Sequence, residues 1–183
     1  MGRYVIGVTG ASGAIYADRL VRHLKAIGQE VHLVLTDMGK KVCAFEGHPD
    51  IAASADRVYD NGDFFAPIAS GSYRHQGMVV IPCSMGTLGK IAHGTGDTLL
   101  TRAADVCLKE KRKLILVPRE TPMSSLHLQN QKILSDMGAG IIPANPSFYH
   151  KPATIEDLVD TVLARVLDHL DLEHQVGKRW RDS

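Results

Sequence analysis

The sequence predicts an α/β protein built on a three-layer, doubly wound parallel sheet with helices on both faces. Three observations carry that reading. Apolar runs of strand length alternate with helical periods in a β-α-β series. Runs such as "VVIPC" and "LILVP" are continuously apolar rather than alternating, as strands buried on both faces are. The first run ends in "TGASGAIYADRL", where Gly7, Gly10 and Gly13 crowd a strand-to-helix turn.

The elements follow in order. Strands are expected at Tyr4–Thr9, Glu30–Thr36, Met78–Cys83, Lys113–Pro118 and Gly140–Pro143. Helices are expected between them at 14–27, 37–46, 84–92, 97–112 and 124–137. A last helix over 154–170 aligns Ile155, Leu158, Val159, Val162, Leu163, Val166 and Leu167 along one stripe. Thr154, with Asp157 three residues on, is placed to cap it. The stretch 47–76 reads as a long irregular loop, and long loops in compact domains tend to serve function.

The 183 residues suffice for one domain, residues 1–183, with a well-buried core. A net charge of +1 offers no broad basic field, and with few aromatics and no basic–aromatic interleaving a nucleic-acid reader is not expected. No apolar stretch reaches the roughly 18 residues of a membrane span, and no signal peptide is read at the N-terminus. Three cysteines without paired spacing suit a reducing cytoplasm rather than a disulfide framework. The nine histidines are scattered, so no metal is expected.

In doubly wound folds ligands collect at the carboxyl ends of the strands. Those ends read "TGASGA", "TDMG", "PCSMGT", "PRETPMSS" and "PANPSFYH", which together make one polar edge. In the opening turn, glycine lets backbone N–H groups approach an anion while the next helix presents its positive end. The alternative is a tight turn that holds no ligand. The turn is neither GxGxxG nor a P-loop. It is similar to the start of nicotinamide-dependent short-chain reductases, with Asp37 placed as a ribose-binding acid, but no tyrosine has the lysine those enzymes need four positions on.

The loop at Ser84, Met85, Gly86 and Thr87 is a second strand-to-helix transition with small hydroxyls, so the two loops together suit a nucleotide-like cofactor. Cys83 reads as a small buried residue rather than a nucleophile. Arg102 and Lys109 fall on one line of a helix about 10 Å apart. They are either phosphate contacts or a solvated face. Arg119 and Glu120 come directly off a buried strand, where an Arg suits a phosphate and a Glu could exchange its proton. Mutual ion pairing is the competing account.

Six blocks then occur in order along nearly the whole chain: "TGASGA", "DFFAPIASGS", "PCSMGTL", "RAADVCLKE", "LVPRETPMSS" and "FYHKPATIEDLVDTVLARVLD". Together they closely resemble the UbiX-type flavin prenyltransferases. The resemblance implies a flavodoxin-like Rossmann fold that binds FMN and assembles as a homo-oligomer, a dodecamer. It implies transfer of a dimethylallyl group from dimethylallyl phosphate to N5 and C6 of reduced FMN. The prenylated FMN is then passed to a UbiD-type decarboxylase, in ubiquinone biosynthesis or aromatic acid decarboxylation.

Matched block by block, Gly10, Ala11, Ser12, Thr36, Ser84, Met85, Gly86, Thr87 and Arg119 would hold FMN. Tyr149 and Arg165 would hold the prenyl phosphate, with Lys109 and Arg119 adding charge from neighbouring subunits. Ser12, Glu46 and Glu120 would be catalytic, the two acids handling protons and the serine lying near the flavin N5. Phe64 stands where many members carry Trp, and Trp180 is expected to pack over the site. No acidic motif for Mg²⁺ is read, and a monophosphate donor needs none. Cysteine-type flavoprotein decarboxylases share the expected fold and FMN. They use a catalytic His and a PxMNxxMW-like segment, where this chain has "PMSSLHLQNQ". A non-catalytic flavin-binding subunit is a third reading.

Overall fold

A computed structural model describes residues 1–177. It contains strands β1 (Arg3–Val8), β2 (Glu30–Leu35), β3 (Arg57–Tyr59), β4 (Gly77–Cys83), β5 (Lys113–Pro118) and β6 (Gly140–Ile141). The helices are α1 (Ala14–Ala26), α2 (Asp37–Phe45), α3 (Met85–Ala92), α4 (Leu99–Lys109), α5 (Ser125–Asp136) and α6 (Ile155–His169). All pairings are parallel, in the order β3-β2-β1-β4-β5-β6. The chain winds outward from β1 to β3, then crosses to β4 on the other side of β1. A crevice opens where the winding reverses, outside the carboxyl ends of β1 and β4.

The continuously apolar runs are buried on both faces, as their composition requires: every residue of β4 is buried. On one face Leu20 and Leu24 of α1 and Val162, Leu163 and Val166 of α6 form a core with Ile6, Leu33 and Val79. On the other, Leu88 of α3, Leu99, Leu100 and Ala103 of α4 and Leu134 of α5 pack on Val5, Met78 and Leu116. Burying each such aliphatic side chain contributes about 1.5–3 kcal/mol.

Thr154 and Asp157 form the reciprocal cap expected at the start of α6. Ile155, expected on the apolar stripe of α6, is 67% exposed because it lies in the first turn, ahead of the part that meets the core. The stretch 47–76 is less irregular than its composition suggests. It holds two short 3-10 helices and β3, which pairs with His32, Leu33 and Val34 of β2. As an edge strand of three residues with Arg57 and Val58 exposed, β3 has no apolar run to announce it.

Two glycines place the helices that face the crevice. Gly13 enters α1 with φ of 113°, a left-handed backbone that favours glycine. In α2, a Cβ on Gly39 would stand 2.6 Å from the Val8 carbonyl oxygen, so only glycine lets α2 press onto the end of β1.

Candidate functional site

The crevice holds a cavity of about 500 Å³, well inside the range of small-molecule sites. Its walls come from segments far apart in sequence. Gly10 follows β1; Thr36, Asp37 and Met38 open α2; Ser84, Gly86, Thr87 and Lys90 belong to the loop and first turns of α3; Thr98, Leu100 and Thr101 open α4. The seam between the two central strands is closed by Thr9. Its hydroxyl donates to the Pro82 carbonyl at 2.7 Å and accepts from the Ser84 amide at 2.8 Å.

Helices α1 to α4 all start on this edge, and each leaves amide N–H groups without an intrahelical acceptor. Two of the four are filled by the protein's own side chains. At α4, Thr98 accepts from the Thr101 amide at 3.3 Å, while the Asn61 side chain takes the Leu100 amide at 3.1 Å and its carbonyl the Leu99 amide at 2.8 Å. At α1, the Glu46 carboxylate accepts from Gly13 at 2.9 Å and from Ala14 at 2.7 Å.

The starts of α2 and α3, like that of α4, border the cavity and carry hydroxyl caps. Thr36 accepts from the Gly39 amide at 3.0 Å, and Ser84 accepts from the Thr87 amide at 3.4 Å and donates to the Thr87 hydroxyl at 3.1 Å. Above Gly86 the space is open, so a ligand can approach its backbone. Two helix N-termini with adjacent hydroxyls suit a phosphate. Met38 and Leu100 give the same cavity apolar surface. That combination fits FMN.

The sequence reading expected the positive end of α1 to face an anion. The anion found there is Glu46, delivered from the end of α2. Burial raises its pKa, but the Ser12 hydroxyl, the Ala14 and Gly13 amides and the neighbouring His48 together hold it below its usual value. His48 is fixed in turn by Asp18 of α1, at 3.2 Å, and Asp18 also binds Arg22 at 3.1 Å. Ser12 and Glu46 are therefore together, while of the opening turn it is Gly10 that lines the cavity.

Arg119 donates from Nε to the Ser12 carbonyl at 3.3 Å, which joins the end of β5 to the opening turn. Glu120 accepts from the Thr121 amide at 3.0 Å. Neither binds the other among the described residues, so mutual ion pairing does not explain them. Tyr149 is half exposed, its ring edge-on to His150 with centroids 5.4 Å apart. Arg165 is exposed on α6 and binds Asp168 at 2.7 Å. Lys109 pairs with Glu110 at the far end of α4, about 15 Å along the axis from the cavity. None of Lys109, Tyr149 and Arg165 lines the cavity of a single chain. Arg102 binds Asp105 at 2.8 Å and the Ala69 carbonyl at 3.2 Å.

Cys83 is fully buried, which pushes its thiol up to about 12 and suits a packed residue rather than a nucleophile. Among the described residues no group of three or more His, Cys, Asp or Glu is placed to hold a metal, and no helix is long and apolar enough to cross a membrane. Trp180 lies outside the described residues. Sequence reasoning missed Asn61, Met38 and Lys90. Asn61, between Asp60 and Gly62, carried only a turn signal, and nothing local ties it to a helix start 38 positions later.

The family described as Flavoprotein matches residues 2–167. The flavin prenyltransferase UbiX of Halalkalibacterium halodurans is 48% identical over 195 aligned positions, covering 100% of this chain and 95% of the relative. This chain belongs to the UbiX flavin prenyltransferase family. A UbiX crystallised with FMN and dimethylallyl pyrophosphate superimposes with a TM-score of 0.97 at 42% identity, over 100% of this chain and 98% of that one. A dodecameric FMN-dependent UbiX-like decarboxylase from Escherichia coli O157:H7 gives 0.95 at 46% identity, over 98% of this chain and 99% of that one. The peptidyl-cysteine decarboxylase EpiD gives 0.66 at 21% identity, which places it with the UbiX family in fold alone.

Proposed function

We propose that this chain is a flavin prenyltransferase that joins a dimethylallyl group, from dimethylallyl phosphate, to N5 and C6 of reduced FMN. The observation that carries the reading is the cavity at the β1–β4 crevice, walled by the starts of α2 and α3, in a chain of the UbiX family along its whole length. Thr36, Ser84, Thr87 and the amide of Gly86 hold the flavin phosphate. Gly10, Ala11, Ser12, Met85 and Arg119 border the rest of the nucleotide. Bound and reduced, FMN supplies the nucleophilic positions that accept the prenyl group.

The protein's task is then to stabilise the departing phosphate and to manage protons. Cleavage of the allylic C–O bond places negative charge on the phosphate, and cations fixed around it lower that barrier. Arg119, Arg165 and Lys109 supply the charge, and Tyr149 a hydroxyl. Arg165 and Lys109 are exposed in one chain, which supports a site completed by neighbouring subunits. Glu46 and Glu120 hold and return the protons, Glu46 through Ser12. The phenyl face of Phe64 walls the prenyl pocket, where a π surface tolerates allyl cation character.

Phe65 is 100% exposed and Phe45 92%, apolar surface that a homo-oligomer, a dodecamer, buries. Residues 1–183 form one FMN-binding unit working in the cytoplasm, with a UbiD-type decarboxylase as recipient of the product. A cofactor-free UbiD-type decarboxylase incubated with this protein, reduced FMN and the donor tests the reading. Gain of decarboxylation supports it, and a decarboxylase that stays inactive while a second UbiX activates it contradicts it.

A further inference from the structure

The cavity carries one more group whose chemistry matches a phosphate. Along α3, Ser84, Thr87 and Lys90 recur every three residues, so they lie on one helix face, and all three line the cavity. Two are hydroxyls beside the helix start. The third, Lys90, is the one lysine or arginine among the cavity's described lining residues. Its ammonium is held by a carboxylate. It binds Asp97, in the turn that leads into α4, at 2.6 Å, and both side chains are about half exposed at 46% and 47%.

A half-exposed ion pair of this kind contributes little to stability, about 0–1 kcal/mol. It is therefore easily exchanged for a better anion. A phosphate seated at the α2 and α3 starts would carry more charge than the Asp97 carboxylate, in a cavity that Lys90 also lines. Asp37, the acidic residue among the lining, pairs with Lys40 at 3.6 Å rather than with Lys90.

We propose that Lys90 is a specificity-determining residue for the phosphorylated flavin: it leaves Asp97 for the phosphate of FMN, and so sets the preference for FMN over riboflavin. The assignment rests on the flavin reading given above. It adds a residue that none of the sequence blocks marks, and a role for Asp97 as the anion that holds Lys90 over the site until the phosphate arrives.

Dissociation constants for FMN and for riboflavin, measured by flavin fluorescence quenching in low and high salt, test it. Lys90→Gln should weaken FMN about tenfold, leave riboflavin unchanged and flatten the salt dependence of FMN binding. Lys90→Arg, which keeps the charge, should restore most of the FMN affinity. Asp97→Asn should tighten FMN several-fold without moving riboflavin, because Lys90 no longer has a partner to leave. Unchanged FMN affinity in Lys90→Gln, or an equal loss for both flavins, overturns the assignment while the flavin site stands. A wild-type protein that binds neither flavin overturns the flavin reading and this assignment with it.

Discussion

The Glu46 carboxylate sits across the start of α1, 2.9 Å from the Gly13 amide and 2.7 Å from that of Ala14. A side chain from the end of α2 thus takes the anion position that a glycine-rich turn ordinarily offers to a ligand. That leaves the starts of α2 and α3 to line the cavity with hydroxyl caps, and it sets the Glu46 carboxylate beside Ser12.

Removing that charge should cost stability in a pH-dependent way. Glu46→Gln keeps an acceptor for the amides but loses the charge-assisted part of the contact, about 1 kcal/mol. The folded-state pKa of Glu46 is lowered from 4.5, so its contribution is fully present above the unfolded value and lost as pH falls through the folded one. Urea unfolding of wild type and Glu46→Gln should therefore differ at pH 7, and the difference should shrink as pH drops below about 4.5. A gap that is constant with pH contradicts the assignment.

Arg165 and Tyr149 should act on the prenyl donor and not on FMN. Arg165→Ala removes a charge-assisted contact of about 1.5–3 kcal/mol, and Tyr149→Phe a neutral one of about 0.5–1.5 kcal/mol. Donor KM or single-turnover rate should fall accordingly, with FMN affinity unchanged in both variants. Loss of FMN affinity with normal donor saturation would move both residues to the flavin site.

Because Lys109, Tyr149 and Arg165 do not line the cavity of a single chain, activity should depend on assembly. Phe65→Asp puts a charge on fully exposed apolar surface. Light scattering should show the wild type as a large homo-oligomer and the variant as smaller species, with prenyl transfer lost in step and circular dichroism unchanged. An active monomer contradicts the shared site.

The sequence made the central sheet legible because β1, β2, β4 and β5 are buried on both faces and so are apolar along most of their length, with His32 of β2 the buried polar exception. β3 was hidden because an exposed three-residue edge strand has no such constraint. The site divides in the same way. The hydroxyl caps Thr36 and Ser84 are local signals, each readable from the strand-to-helix turn that contains it. Glu46 over α1 and Asn61 on α4 join segments whose juxtaposition exists only once the sheet is ordered, whereas the Lys90–Asp97 pair is local, seven residues apart across the turn from α3 to α4. Glu46 was reachable through family resemblance alone, and its geometry was not. Lys109 and Arg165 are exposed on helix surfaces away from the cavity, so neither composition nor the single-chain fold ties them to it.

The most direct test of the central claim is the mass of the flavin recovered after anaerobic incubation of the protein with reduced FMN and dimethylallyl phosphate, with EDTA present throughout. The cationic phosphate clamp predicts FMN heavier by one isoprene unit, at a yield unaffected by EDTA. Recovery of unaltered FMN from protein shown to bind it, or product that forms only when Mg²⁺ is added, would contradict the account.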